Sequence, residues 1–248
     1  MTTPILSIVG LSKNFGGVKA SDHISFEVME GECHALIGPN GAGKTTLISQ
    51  LSGLTAPDSG TVHFQGQDIT GLPAHKRSVI GIARSFQITN VLLSMSVLDN
   101  VALAVQARDG HSFRFWAPAR ADRSLREPAI AVLGEVGLAD RAHELAAALS
   151  HGERRQLEIA MALALQADLL LLDEPTAGLG MEETGQMVEL LRQLKQNKTM
   201  LLIEHDMDAV FALADRISVL VYGRIIATGT PEEIRTDEAV RRAYLGED

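Results

Sequence analysis

Apolar and polar residues alternate over the first thirty positions of the chain, most strictly across residues 24–28. A period of two is typical of antiparallel strands that bury one face. From position 33 the pattern changes to a compact apolar stretch, and a glycine-rich segment follows at 38–43. We therefore predict a buried strand, a tight turn and a helix over 45–54, which is how an α/β unit begins. Alternation returns at 61–66 and predicts another half-exposed strand.

Residues 92–165 have a different pattern, in which alanine and leucine recur at helical spacing. We predict helices over 97–107, 125–136 and 153–165, so this part of the chain forms a helical insertion in the α/β fold. The intervening stretch 108–126 contains five arginines, two phenylalanines and the only tryptophan. Such a stretch is either a solvated loop or a surface that docks onto another protein.

The α/β alternation resumes after residue 168, where short apolar runs again alternate with amphipathic stretches. The tail, 231–248, has the pattern of one or two short helices. The predicted strands are 169–172, 200–203 and 217–220, and the predicted helices between them are 182–196 and 208–214.

These elements predict an α/β fold with a mostly parallel sheet, an N-terminal antiparallel β part and a helical insertion. We expect a single domain over residues 1–248. Within it, residues of about 1–91 and 166–230 would form the α/β core, about 92–165 the helical part, and 231–248 the helical tail.

The composition narrows the class of protein. Of 248 residues, 46% are hydrophobic and 21% charged, so the chain can bury a core and is not disordered as a whole. Its 22 basic and 31 acidic side chains give a formal charge of −9, which counts against a protein that coats nucleic acid. A local phosphate site needs only a few backbone N–H groups and one cation, so the charge does not exclude one.

The single cysteine, Cys33, excludes an internal disulfide framework and a cysteine zinc cluster, and it favours a reducing compartment. The first basic residue is Lys13, and no apolar run approaches the roughly 18 to 20 residues that cross a bilayer. We expect neither a secretory signal nor a membrane span. A role at a membrane would therefore depend on a partner.

A glycine-rich segment with the P-loop pattern Gly-x-x-x-x-Gly-Lys-Thr joins the predicted strand to the predicted helix. Its glycines let backbone N–H groups point at phosphate oxygens, and the helix N-terminus adds its dipole. We expect Lys44 to neutralise the β- and γ-phosphates and the Thr45 hydroxyl to ligate Mg²⁺. A chance glycine turn is the alternative, and the flanking strand and helix count against it. The predicted nucleotide contacts here are Gly38, Pro39, Asn40, Gly41, Ala42, Gly43, Lys44, Thr45 and Thr46.

Two adjacent acids, Asp173 and Glu174, follow the apolar run 169–172. Open α/β sheets bind ligands at this end of their strands. Asp173 would hold Mg²⁺ through water, and Glu174 would polarise the water that attacks the γ-phosphate. A solvated acid at a strand end is the alternative, but the preceding P-loop and the second carboxylate strengthen the catalytic interpretation.

A third segment, Ser150-His151-Gly152-Glu153, precedes a predicted helix. The Ser150 side chain and the Gly152 backbone at a helix N-terminus can form a second phosphate site. The alternative is a capping box between Ser150 and Glu153, which is compatible with phosphate binding. Because the P-loop already accounts for one γ-phosphate, this second site would serve ATP held by another subunit.

With these three segments, essentially the whole chain resembles the ATP-binding cassette (ABC) ATPases. The resemblance implies further site residues. Phe15, with Val18 near it, matches an aromatic that stacks on adenine; Gln87 matches a glutamine that touches Mg²⁺ and the attacking water; and His205 matches a histidine that contacts the γ-phosphate. Taken alone, Phe15 could be a core residue, Gln87 a solvated loop amide and His205 a structural histidine.

Two positions depart from the family pattern. His151 stands in place of a glycine and adds a side chain near the second phosphate site. Gly180 stands where the family carries Asp or Asn, a residue that helps to pair the sites of two subunits. Coupling between the two sites is therefore the property most in question.

The resemblance implies a P-loop NTPase (RecA-like) core, ATP and Mg²⁺ as cofactors, and a second ABC ATPase, identical or different, as partner. It also implies two transmembrane permease subunits and, indirectly, a solute-binding protein. Such a subunit lies at the cytoplasmic face of the inner membrane, attached through the permeases, and does not bind nucleic acid.

Residues 83–87, the long stretch 108–126 and the ending 243–247 resemble the larger ATPase of branched-chain amino acid importers. ATPases of urea or amide importers, of aromatic-acid importers and of lipopolysaccharide exporters remain alternatives. A DNA-repair ABC protein would need a long coiled coil or zinc cysteines, and a translation ABC protein would usually carry a second cassette. The sequence shows none of these features, which counts against both classes. A small-molecule P-loop kinase would not need the segment 150–153, so the presence of that segment counts against a kinase.

Overall fold

A computed structural model describes residues 3–85, 91–110 and 122–242. In these ranges, two long β-strands open the chain, three consecutive helices precede β7, and strands alternate with helices from β7 to β9. The strands are β1 (Pro4–Phe15), β2 (Val18–Met29), β3 (Cys33–Ile37), β4 (Ser59–Phe64), β5 (Gln67–Asp68), β6 (Ile82–Arg84), β7 (Leu169–Asp173), β8 (Thr199–Ile203), β9 (Arg216–Val221) and β10 (Arg224–Gly229). The helices are α1 (Lys44–Leu51), α2 (Ala74–Val79), α3 (Val97–Asp109), α4 (Arg123–Glu135), α5 (His151–Ala164), α6 (Met181–Lys195), α7 (Met207–Leu213), α8 (Pro231–Thr236) and α9 (Glu238–Val240).

The first strands form the antiparallel sheet that the alternating pattern predicts. The strand order is β2-β1-β4-β5. Ile24, Phe26 and Val28 are buried, whereas Ser25 and Glu27 between them are exposed. One face of this sheet therefore packs on the core and the other faces solvent.

The second sheet has six strands in the order β10-β9-β3-β8-β7-β6. Neighbouring strands are parallel from β9 to β6, and β10 pairs with β9 in the antiparallel sense. Every residue of β3, β7 and β8 is buried, because helices and the first sheet cover both faces. The carboxyl ends of these three adjacent strands meet at one edge, where the P-loop, Glu174 and Glu204 follow them. The structure thus confirms the predicted α/β class.

The three predicted helices between the P-loop and β7 are α3, α4 and α5. Their apolar faces pack together through buried residues such as Val101, Leu133 and Leu157. Ser96 caps α3 and Asp122 caps α4, each accepting a backbone N–H bond with its side chain. Residues 111–121, the centre of the arginine-rich stretch, lie outside the described residues, as does the ending 243–248.

The structure corrects the predicted end of one helix. We predicted a helix over 45–54, but α1 ends at Leu51. Gly53 adopts a φ of 78°, and a Cβ atom there would lie 2.8 Å from the carbonyl oxygen of Leu72, so the chain turns away before Leu54. Four further elements, α2, β5, β6 and β10, were not predicted, because they are short or lie at a sheet edge with weak apolar patterning.

Candidate functional site

The P-loop, residues 38–43, turns between β3 and α1 under tight steric limits. A Cβ atom on Gly38 would lie 2.0 Å from the carbonyl oxygen of Leu220, and one on Gly43 would lie 2.1 Å from that of Ala20. Gly43 also adopts a φ of 108°, a backbone conformation that favours glycine. Both glycines are therefore required for the loop to pack against β9 and β2.

The Lys44 side chain folds back over this loop. Its Nζ donates hydrogen bonds to the carbonyl oxygens of Gly38 at 2.6 Å and Pro39 at 3.1 Å. Burial lowers the pKa of the Lys44 ammonium, while the carboxylates of Glu174 and Asp173 act in the opposite direction. The P-loop thus carries a cation beside the two acids that the sequence analysis singled out.

An open pocket of about 420 Å³ lies against the P-loop. Two large apolar side chains stand at its rim with high exposure, 53% for Phe15 and 67% for Val18. Exposed apolar side chains beside polar loop amides suit a ligand with a flat apolar part and a charged part. The pocket therefore brings together most of the predicted nucleotide contacts. It is lined by Phe15, Val18, Ala20, Asn40, Gly41, Ala42, Gly43, Lys44, Thr45, Thr46 and Glu174.

Asp173 and Glu174 occupy different environments at the end of β7. The Asp173 side chain is 1% exposed, and its Oδ2 accepts a hydrogen bond from Arg84 Nη2 at 2.8 Å. Its Oδ1 is buried with no donor among the described residues. Glu174 lines the pocket with a φ of 51°, an uncommon conformation for a residue with a side chain. This residue comes directly after the end of β7.

Arg84 is a site residue whose role the sequence analysis missed. It ends β6, and its Nη1 lies 3.2 Å from Ser49 Oγ and 3.3 Å from Ser52 Oγ. The guanidinium thus joins α1 to Asp173 across two strands. The pairing of β6 with β7 that makes this contact cannot be read from local sequence pattern.

His205 follows β8 at the same edge of the sheet but does not line the pocket. Its side chain is 58% exposed, and its Nδ1 lies 3.8 Å from Glu204 Oε2. Glu204, which the sequence analysis also missed, is buried and accepts hydrogen bonds from the Thr176 amide and hydroxyl. It thereby fixes the loop after Glu174 to the end of β8. Gln87, the remaining predicted catalytic residue, lies outside the described residues.

The segment 150–153 begins α5 and does not line the pocket of its own chain. Ser150 and Glu153 form the capping box that was one alternative: the Glu153 amide donates to Ser150 Oγ at 3.2 Å, and the Ser150 amide donates to Glu153 Oε2 at 2.7 Å. The His151 side chain turns toward the loop after Glu174, with its Nε2 3.4 Å from the carbonyl oxygen of Ala177. Capping engages the Ser150 hydroxyl as an acceptor, so its proton remains available to another anion.

Comparison with known proteins places the chain in a family. A family model described as an ABC transporter matches residues 21–177. The chain belongs to the ABC transporter family. A second model, described as a branched-chain amino acid ATP-binding cassette transporter, matches residues 224–248.

Relatives and solved structures of ABC transporters match the chain over its whole length. LivG of Salmonella typhimurium, a high-affinity branched-chain amino acid transport ATP-binding protein, is 41% identical over all of both chains. BraF of Pseudomonas aeruginosa, described in the same words, is 39% identical, again over all of both chains. The ADP conformation of an ATP-binding cassette of an ABC transporter, a crystal structure, has a TM-score of 0.87 at 31% identity, covering 99% of this chain and 100% of that one.

These comparisons confirm the predicted P-loop fold with its antiparallel β part. They identify the chain as a nucleotide-binding cassette that hydrolyses ATP, as the ABC resemblance implied. In the part of the chain that the structure describes, no helix is both long enough and apolar enough to cross a membrane.

Proposed function

We propose that this cassette is the ATPase subunit of a membrane importer for branched-chain amino acids. The observation that carries the proposal is the pocket that joins Phe15, the P-loop and Glu174, together with the matched segment at 224–248. The similarity to LivG and BraF, which are described as branched-chain amino acid transport ATP-binding proteins, supports the choice of solute. Importers of urea or amides, importers of aromatic acids and exporters of lipopolysaccharide are the alternatives that the experiment below separates.

In this proposal, each part of ATP contacts a different set of residues. Adenine stacks on Phe15 and contacts Val18, the two exposed apolar side chains at the rim. The phosphates lie along residues 38–46, where the backbone amides and the N-terminus of α1 attract negative charge. Lys44 exchanges the carbonyl oxygens of Gly38 and Pro39 for phosphate oxygens, which are stronger acceptors because they are charged.

The residues present fit a magnesium ion bound together with the phosphates. The buried Oδ1 of Asp173 has no donor among the described residues, so an acceptor is available there for water on the ion. The exposed Thr45 hydroxyl and Gln87 would complete the protein's share. In the described ranges, no group of three or more acidic, histidine or cysteine side chains is placed to hold a metal ion. Mg²⁺ is commonly held by one or two carboxylates together with substrate phosphates. Bound Mg²⁺ would neutralise charge on the β- and γ-phosphates.

Hydrolysis needs a base beside the γ-phosphate. Glu174 lines the pocket and is half-buried, whereas Asp173 is buried against Arg84, so Glu174 is the carboxylate suited to polarise water. His205 stands at the neighbouring strand end and would contact the γ-phosphate once the site closes. Glu204 accepts hydrogen bonds from Thr176 and so holds the loop after β7 against the end of β8. This contact would fix the relative positions of Glu174 and His205.

A complete site requires a second cassette, because residues 150–153 lie away from the pocket of their own chain. Two cassettes would hold two ATP molecules, each between one P-loop and the partner's Ser150, His151, Gly152 and Glu153. The pair would drive two permease subunits and receive solute from a binding protein. We place the chain at the cytoplasmic face of the inner membrane, attached through those permeases.

The proposal is tested by co-purifying the chain with its permease subunits and measuring ATP hydrolysis in proteoliposomes. Leucine with its binding protein should stimulate hydrolysis, whereas urea, an aromatic acid and lipopolysaccharide should not. The Lys44→Ala complex is the control, because it should assemble but not respond. Stimulation by urea or an aromatic acid in place of leucine would identify another importer.

A further inference from the structure

Glu183, in the first turn of α6, reaches across to the N-terminus of α5 in the same chain. Its Oε1 lies 3.3 Å from the Gly152 amide nitrogen and 3.5 Å from Ser150 Oγ, both of which can donate. A Cβ atom on residue 152 would lie only 2.9 Å from the same oxygen. The carboxylate thus approaches the backbone at a distance that a glycine allows.

The position of this carboxylate coincides with that of an anion the proposed function requires. Ser150 and Gly152 are the donors that the partner's γ-phosphate would use. The exposed amides and the dipole of a helix N-terminus attract anions, and the Ser150 hydroxyl and the Gly152 amide each have one proton to donate. Glu183 therefore occupies, within one chain, the donors on which an ATP-loaded pair would depend.

The other carboxylate oxygen holds Glu183 in place without fixing it permanently. Its Oε2 accepts a hydrogen bond from the Gly180 amide at 3.3 Å, which makes Glu183 part of the cap of α6. All three of these contacts are at or beyond 3.3 Å, longer than the 2.7 to 2.9 Å of a strong charge-assisted bond. A γ-phosphate with more charge can displace such a contact.

The two departures from the family pattern lie beside this contact. Gly180 supplies the amide that holds Glu183, and His151 lies between Ser150 and Gly152. The His151 ring packs on the loop that leads to α6, and a Cβ atom on Gly178 would lie 3.3 Å from its Nε2. The second phosphate site is therefore bound to the 177–183 segment of its own chain through both a carboxylate and an imidazole.

We propose that Glu183 acts as an internal substitute for the γ-phosphate of the partner's ATP. It occupies the Ser150 and Gly152 donors in the separate chain and leaves them when the ATP-loaded pair closes. This inference rests on the proposed function, since it presumes that ATP is held between two cassettes. Displacement of a like-charged group opposes closure, so Glu183 sets how tightly ATP pairs the subunits and is a positioning residue, not a catalytic one.

Two matched variants test this role. Glu183→Gln removes the charge but keeps an oxygen that can cap α6, because Gln serves at this position of a capping box. Glu182→Gln removes the same charge from the neighbouring residue, which is exposed. Both are made in a Glu174→Gln background, in which slow ATP hydrolysis should keep the ATP-bound pair of subunits from dissociating. Their pairing is measured by sedimentation over a range of protein concentrations with Mg-ATP, with the partner ATPase added if the two differ.

We expect Glu183→Gln to lower at least threefold the dissociation constant of the two cassettes in the presence of Mg-ATP. Glu182→Gln should change this constant less than twofold. Glu183→Ala, which also vacates the donors but loses the α6 cap, should pair tightly despite a lower melting temperature. Equal pairing by the Glu182 and Glu183 variants, or weaker pairing by both Glu183 variants, would overturn the inference. A Glu174→Gln parent that does not pair would instead refute the proposed two-cassette site.

Discussion

Arg84 Nη2 lies 2.8 Å from Asp173 Oδ2, and both side chains are almost fully buried, at 8% and 1% exposure. The same guanidinium reaches the hydroxyls of Ser49 on α1 and of Ser52, the residue after that helix. One cation therefore ties the helix that follows the P-loop to the acid that ends β7. This contact fixes the distance between the two halves of the nucleotide site before any ligand arrives.

The Arg84 pair leads to a stability prediction. Arg84→Ala leaves the Asp173 carboxylate buried without its cation, so the free energy of unfolding should fall by about 3 kcal/mol. Arg192→Ala is the control, because its pair with Glu189 is half-exposed on α6 and should cost less than about 1 kcal/mol. Urea denaturation of both variants measures the difference. Equal losses would mean that the buried pair does not hold the site together.

Lys44→Ala should weaken ATP binding by at least about tenfold, or about 1.4 kcal/mol, because it removes the cation beside the P-loop. The matched control is Lys198→Ala. Lys198 also donates to a backbone carbonyl, that of Ala167, at 3.1 Å, but lies outside the pocket. Titration calorimetry with Mg-ATP distinguishes the two. Tight binding by the Lys44 variant would contradict the assignment of the pocket to the phosphates.

Cys33 should be inert in the folded chain. Burial raises the pKa of its thiol to about 12, so almost no reactive thiolate forms near pH 8. A maleimide reagent should therefore label the protein only after denaturation, and the single cysteine makes the signal unambiguous. Rapid labelling of the native protein would show that β3 opens readily.

The same thiol gives a pH dependence with a defined sign. The native state retains a proton that the unfolded chain loses above the ordinary thiol pKa, so the folded pKa is the higher one. The stability that this thiol contributes is complete below the unfolded pKa and is lost as pH rises toward about 12. Cys33→Ser should flatten the alkaline part of a stability-against-pH curve, and an unchanged slope would count against the burial argument.

Local pattern was enough to predict the strand, glycine loop and helix of the P-loop and the acids after β7, because each depends on adjacent residues. It was also enough to predict which face of β1 and β2 is buried. It could not predict the contact between Arg84 and Asp173, which are 89 residues apart, or the contact between Gly152 and Glu183, which are 31 residues apart. Those contacts depend on β6 pairing with β7 and on the approach of α6 to the start of α5. Sequence periodicity indicates which face is buried but not which element covers it.

In the proposed mechanism, Glu174 acts in hydrolysis while the partner's Ser150 holds the γ-phosphate. Glu174→Gln should lower ATP hydrolysis by roughly 10²-fold, the scale of losing a general base, and it should let the ATP-loaded pair accumulate. Adding Ser150→Arg should abolish that pair, because a bulky side chain would fill the phosphate site. Sedimentation of both variants with and without Mg-ATP, with the partner ATPase present, is the direct measurement. An ATP-dependent pair is expected for Glu174→Gln and none for the double variant. A Glu174→Gln protein that remains monomeric, or that hydrolyses ATP at the native rate, would contradict it.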